Sequence, residues 1–220
     1  MRSFDTAAPI AAVLDIPAGR IQVIAADRAD TTVDVRPANP SKSRDVQTAE
    51  QTVVDFADGV LRIHTSEPKN QLLGPGSVEV TVQLPTGSRI EARTAGCELR
   101  GVGRLGDVAF EGAYRQIKVD EAESLHLTAV DGDVEVGRLG GSARISTARG
   151  DIRIAEAVRG TVVLRTESGN ITVGAAAGTS ASLDAGTGYG RVGNALRNDG
   201  TAELRIRATT SYGDISARSL

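Results

Sequence analysis

The chain has 220 residues, 40% of them hydrophobic and 24% charged, a composition that folds around a core and excludes a disordered chain. Its net charge of −3 excludes a general nucleic-acid footprint. Aromatics at 3%, with no Trp, exclude an aromatic-anchored sandwich core and a base-stacking platform; the single Cys97 excludes an internal disulfide and fits a reducing compartment.

Met1 to Ile16 carries Arg2, Asp5 and Asp15 and lacks the basic, apolar and small-residue layout of a signal peptide. No segment reaches the roughly 18 consecutive apolar residues of a membrane span. A cytoplasmic chain with no membrane insertion is the expectation, and a secreted form trimmed of its leader is the alternative that would read the same. Ile10 to Ile16 and Arg20 to Ile24 read as strands on either side of Pro17-Ala18-Gly19. Thr31 to Val35, Gln51 to Phe56 and Val60 to His64 alternate, and Asp58-Gly59 joins the last two as a hairpin. Ser77 to Leu84 puts Val78, Val80, Val82 and Leu84 on one face. Loops are expected over Pro37 to Arg44 and over Ser66 to Gly76, the latter with Pro68, Gly74 and Pro75. Arg44 to Val54 lacks an apolar stripe of helical period, so Asp45 or Thr48 starts at most a single turn.

Beyond Pro85-Thr86-Gly87 the dominant signal is an internal repeat. Gly132-Asp-Val-Glu-Val136, Gly150-Asp-Ile-Arg-Ile154 and Gly169-Asn-Ile-Thr-Val173 are followed by Gly190-Arg-Val192 and Gly213-Asp-Ile-Ser-Ala217. The glycines are 18, 19, 21 and 23 residues apart. Gly96 and Arg115 fall at equivalent upstream places, and Cys97-Glu98 and Tyr114-Arg115-Gln116 replace the usual residues there. Ahead of the marker, Leu125, Leu127, Ala143, Ile145, Val162 and Leu164 recur at two-residue intervals, the mark of strands with one side turned inward. Each repeat therefore holds two short strands and cannot bury its apolar side alone. Stacking the repeats makes a continuous core.

The expected fold is all-β: a single-stranded parallel β-solenoid over residues 86–220, of about seven rungs, with an N-terminal β region and cap over residues 1–85. Absence of a hexapeptide rhythm favours a right-handed coil. Narrow Val, Ile, Leu and Ala ladders leave no room for large aromatics, and Gly132, Gly150, Gly169, Gly190 and Gly213 are structural turns. Gly101-Val-Gly-Arg-Leu-Gly106 matches a dinucleotide-binding fingerprint by letter, yet no helix pattern follows it. The arginine excess, with lysine only at Lys42, Lys69 and Lys118, is read as genomic base composition in preference to an arginine surface.

The recurring motif in Thr166-Glu-Ser-Gly-Asn-Ile-Thr-Val173 and Thr210-Ser-Tyr-Gly-Asp-Ile-Ser216, with the opening Leu14-Asp-Ile-Pro-Ala-Gly-Arg-Ile-Gln-Val23, resembles a bacterial β-strand-repeat family of unknown function labelled "putative adhesin". The resemblance spans nearly the whole chain, implies a parallel β-solenoid and carries over no catalytic residue.

Asp133, Asp151, Asn170, Arg191 and Asp214 follow the marker glycines. Stacked carboxylates can bind Ca²⁺, but the nonapeptide spacing of Ca²⁺-binding rolls is absent, and Asp after Gly bonds its own turn backbone. No metal and no cofactor is expected. The irregular stretch 96–133 gathers Cys97, Tyr114, Arg115, Asp131 and Asp133, with His126 outward between Leu125 and Leu127. The first functional expectation is a non-enzymatic scaffold or binding module acting by protein–protein contact or self-assembly through an open C-terminal edge, the Gly213 repeat. The alternative is a lyase or cyclase acting on a carbohydrate or small natural-product-like molecule, with Tyr114, Arg115, Asp131 and His126 in one cleft.

Overall fold

A computed structural model describes residues 1–65 and 76–220. The loop expected over residues 66–76 lies outside the described residues, apart from Gly76. The fold is an all-β solenoid. From β7 (Arg89–Ala129) onward the chain lays down two parallel ladders, one strand of each per turn. In the first, β7 pairs with β8 (Val134–Leu139), β8 with β10 (Ile152–Ala157) and β10 with β12 (Ile171–Ala175), so that Ile117, Val134, Ile152 and Ile171 stack in register. In the second, β7 pairs with β9 (Ala143–Arg149) and β9 with β11 (Gly160–Ser168), aligning Leu127, Ile145 and Leu164. All seven side chains are buried and belong to one continuous core. Side chains alternate across a strand, so each ladder sends every second residue inward and leaves the rest on an outer face.

The marker glycines stand where one turn's backbone crosses the next. Gly150 has φ +130°, and a Cβ there would lie 2.2 Å from the carbonyl oxygen of Gly132. Only glycine tolerates both conditions. The fingerprint-like glycines serve the same purpose: at Gly103, φ +78°, a Cβ would meet the Ala25 carbonyl oxygen at 2.1 Å.

The end of the solenoid departs from sequence order. After β12 come β13 (Ala181–Tyr189) and β14 (Val192–Ala195), yet the final pair, β15 (Leu204–Tyr212) and β16 (Ile215–Ser219), inserts before them. Thus β15 lies between β11 and β13, and β16 between β12 and β14. The expected open edge at the Gly213 repeat is corrected: that repeat is interior, and the exposed last turn is β13 and β14. Both turns offer an apolar residue to the first column, Val192 or Ile215, but the next position holds Asn194 in the Gly190 turn and Ala217 in the Gly213 turn, so the Gly213 turn is the one suited to burial on both sides.

Upstream, β2 (Ala11–Ala26) is a complete turn in register with β7, pairing from Ala11 with Arg89 to Ile24 with Val102. This register places Cys97, rather than Gly96, beside Gly19 in the marker column. On its other side β2 meets β5 (Val60–Thr65) and β6 (Val78–Pro85), both parallel to it. Antiparallel strands then close this end: β4 (Thr52–Ala57) on β5, β3 (Asp30–Pro37) on β6 and β1 (Arg2–Asp5) on β3. The β4–β5 turn has Asp58 at φ 51° and Gly59 at φ 74°, both left-handed as a two-residue hairpin requires.

Two expectations need correction. Ser43–Gln51 forms a helix, α1, of nine residues rather than a single turn. Its inner side is polar: buried Asp45 accepts from Asn39 N at 3.1 Å and Ser77 N at 3.0 Å, and Thr48 Oγ1 accepts from Gly76 N at 3.2 Å. Hydrogen bonds hold it where a search for an apolar stripe finds nothing. The interior also admits a large aromatic, for Phe110 is fully buried. Phe110 shares the core with small residues such as Ala92, and on the same turn Thr94 bonds the Gly112 carbonyl at 3.0 Å.

Candidate binding surfaces

The residues after the marker glycines form a ladder along one corner. Asp133 Oδ1 accepts from Asp151 N at 2.8 Å, Asp151 Oδ1 from Asn170 N at 2.7 Å, Asn170 Oδ1 from Asp214 N at 2.9 Å, and Asp214 Oδ1 from Arg191 N at 2.8 Å. Each side chain binds the next turn's backbone rather than its own, which corrects the expected local turn bond. The sequence of bonds, 170 to 214 to 191, follows spatial order. Arg191, which offers no acceptor, stands last, where no further turn asks for one. A parallel threonine ladder agrees: Thr166 donates to the Gly150 carbonyl at 3.1 Å, Thr210 to Gly169 at 3.0 Å and Thr187 to Gly213 at 2.9 Å. Among the described residues no three His, Cys, Asp or Glu side chains are grouped to hold a metal ion.

The irregular stretch is not gathered into one cleft. Tyr114 is exposed, with its Cβ against Gly96. Arg115 is exposed at a small hollow of about 220 Å³ that it shares with Arg20, Glu79 and Glu98. Asp131 pairs with Arg149 at 3.4 Å on the next turn. His126 lies elsewhere, on the outer face of the second ladder. Cys97 is fully buried, its thiol 3.8 Å from the Ile16 carbonyl oxygen. Burial pushes its pKa up to about 12, which keeps the nucleophilic thiolate out of reach near neutral pH.

His126 borders an open groove of about 690 Å³ on that outer face, with Ser124, Ser142, Arg144, Thr161 and Val163 along it. Arg89, Glu91 and Asp107 form its far end.

The second distinctive surface is the open end. Strand β13 has a partner only in β15 and β14 only in β16. All four residues of β14 are exposed, with Val192 at 47% although it continues the fully buried column of Ile171 and Ile215. At the corner Tyr189 and Tyr212 stack, ring centroids 5.1 Å apart and planes 3° from parallel, both rings exposed. Leu220 is exposed as well. Sequence reasoning missed this surface because it assumed that the last repeat in the chain is the last in space. Arg191, breaking the Asp/Asn column, was the available signal.

No helix among the described residues is long and apolar enough to cross a membrane. No curated protein matches the chain. Among solved structures, it is similar to a putative cell adhesion protein from Clostridium sporogenes ATCC 15579, with 10% identity, 100% of this chain and 98% of that one covered, and a TM-score of 0.41. It is also similar to a putative adhesin from Bacteroides fragilis NCTC 9343, with 12% identity, coverage of 98% and 95%, and a TM-score of 0.44. A putative lipid binding protein from Parabacteroides distasonis ATCC 8503 has 14% identity, coverage of 98% and 95%, and a TM-score of 0.43. The profile of the Toastrack DUF4097 family matches residues 13–219, nearly the whole length, and the chain belongs to that family.

Proposed function

We propose that the protein is a non-catalytic binding module that makes protein contacts through its open end, β13 and β14. The observation that carries this reading is the exposure of Val192 in a column that is otherwise buried. An uncovered turn presents unpaired backbone N–H and C=O groups beside apolar side chains, and a further strand satisfies both. Ser182 to Gly188 reads Ser-Leu-Asp-Ala-Gly-Thr-Gly, an edge without lysine or proline whose one charge is Asp184. A second copy of the chain is the simplest occupant, since two such ends can meet about a two-fold axis.

Sedimentation velocity over a wide concentration range tests the reading, with Val192→Lys as the comparison. The wild type is expected to associate as concentration rises, and a lysine at the open end to abolish this while leaving thermal unfolding of the monomer nearly unchanged. A wild type that stays monomeric throughout would reject self-association. Should hydrogen exchange in β13 and β14 also be as fast with every protein partner tested as without, protein contact at this end falls with it.

A further inference from the structure

The outer face of β9, β11, β15 and β13 carries four arginines for which nothing above accounts. Arg144, Val163, Arg207 and Asp184 form one row across the four strands. Ser146, Arg165, Thr209 and Gly186 form the next, and Thr161, Arg205 and Ser182 stand in register on the other side. All four arginines are exposed. None has a carboxylate within 4.0 Å or a side-chain hydrogen bond among the described residues. Elsewhere on this same face the pattern is opposite: Arg89 faces Asp107 at 3.8 Å, and Arg93 has Glu91 at 3.3 Å and Glu111 at 3.9 Å. Arg138 on the other ladder bridges Glu121 and Glu156. Arg62, Arg104, Arg115, Arg197 and Arg218 are open by the same measure, but among the described residues only this face sets four open arginines on three adjacent strands. Asp184 across from Arg207, Glu167 two residues after Arg165 and Glu203 two residues before Arg205 are the acids beside them.

We propose that this face docks a linear acidic polysaccharide, a chain bearing carboxylates and hydroxyls. Neighbouring strands lie roughly 4.8 Å apart and alternate residues of one strand roughly 6.6 Å apart, so the four arginine stems stand roughly 7–14 Å from one another. A single small anion engages one or two such groups in water and is held weakly. A polymer engages all four, and each contact raises the effective concentration for the next. The groove beside His126 passes Arg144, reaches Thr161 and Val163 on β11 and so adjoins the arginine rows, giving an elongated path lined with the hydroxyls of Ser124, Ser142 and Thr161. At its far end Arg89 is already paired with Asp107 and Glu91 with Arg93, so the open cations of the path lie at the other end.

An extended peptide is a poorer fit, because strands β9, β11 and β15 are paired on both sides and offer its backbone no partners. A membrane surface is a poorer fit too. The exposed large apolar side chains Tyr189, Val192, Tyr212 and Leu220 lie at the open end, not among these arginines. The inference concerns a face separate from that end and does not depend on it.

Titration with polygalacturonate at low ionic strength is the test, with neutral dextran, poly-glutamate, polyphosphate and phosphatidylserine vesicles in parallel. Saturable binding to polygalacturonate, tighter than to the other probes and weakening steeply with salt, is expected. Single replacements Arg144→Gln, Arg165→Gln, Arg205→Gln and Arg207→Gln should each weaken it up to about fivefold, and all four together on the order of a hundredfold. The thermal midpoint should be unchanged, and Arg138→Gln should bind as the wild type does. If the fourfold variant fails to fold, the single variants decide the matter. No saturable binding, equal binding by the arginine variants, or a preference for poly-glutamate, polyphosphate or vesicles overturns the proposal.

Discussion

Cys97 shows how one side chain reports on its position in the coil. It pairs with Gly19 in the marker column, but without the positive φ of that glycine, and its thiol turns into the core. Burial disfavours the thiolate and raises the pKa from 9.0 to about 12, with the Thr94 side chain opposing the shift. Between pH 9 and 12 the unfolded chain has lost this proton while the folded chain retains it. Stability from this group is therefore complete below pH 9 and falls as pH rises toward 12. Replacing Cys97 with Ala should destabilise the protein by about 1–2 kcal/mol at pH 7.5, through lost packing. At pH 10.5 the wild type has itself lost about 2 kcal/mol, so the two urea midpoints should converge. An undiminished difference at pH 10.5 would mean that the thiol is not shielded from water.

At the scale of the element, legibility follows the kind of force that holds each piece. The rungs were readable because hydrophobic burial fixes a strand's face, and burial writes a two-residue period, as in Val162 and Leu164 or Ile152 and Ile154. The β4–β5 hairpin was readable because its turn demands residues that tolerate positive φ. Helix α1 was not, because its inward residues are Asp45 and Thr48 and its cohesion comes from hydrogen bonds to distant backbone. Such bonds join residues that sequence proximity does not connect. Nor was the arginine face visible as a site, since Arg205 and Arg207 alternate with core residues just as any solvated strand would show. Asp45→Ala leaves the amides of Asn39 and Ser77 without their buried acceptor and should cost about 3 kcal/mol in chemical denaturation. Asp45→Asn keeps one oxygen to accept and should cost about half as much. A loss below about 0.5 kcal/mol for the alanine variant would show that solvent or another group replaces the carboxylate.

For the whole molecule the order of turns in space determines which residues hold the structure together. Near-identical repeats encode that a turn stacks, but only weakly on which neighbour, so the exchange of the last two turns rests on small asymmetries. Arg191 can serve only at the end of the side-chain ladder, whereas Asp214 both accepts from Arg191 and follows Asn170. In a repeat stack, stability resides in interfaces between adjacent turns, and an end turn has one interface where an interior turn has two. Ile206 in β15 is 1% exposed between Val162 and Leu183 on the neighbouring strands, while Leu183 in β13 is half-buried at the end. Ile206→Ala should therefore cost about 3–4 kcal/mol, and Leu183→Ala about 1–2 kcal/mol. Amide exchange should follow the same rank, with β13 and β14 opening faster than β15 and β16 although the latter pair is nearer the chain terminus. Had the turns stacked in sequence order, β15 and β16 would be the fraying end and both rankings would reverse. A larger cost at Leu183, or faster exchange in β15, would therefore refute the interleaved arrangement and with it the placement of the open end at Val192.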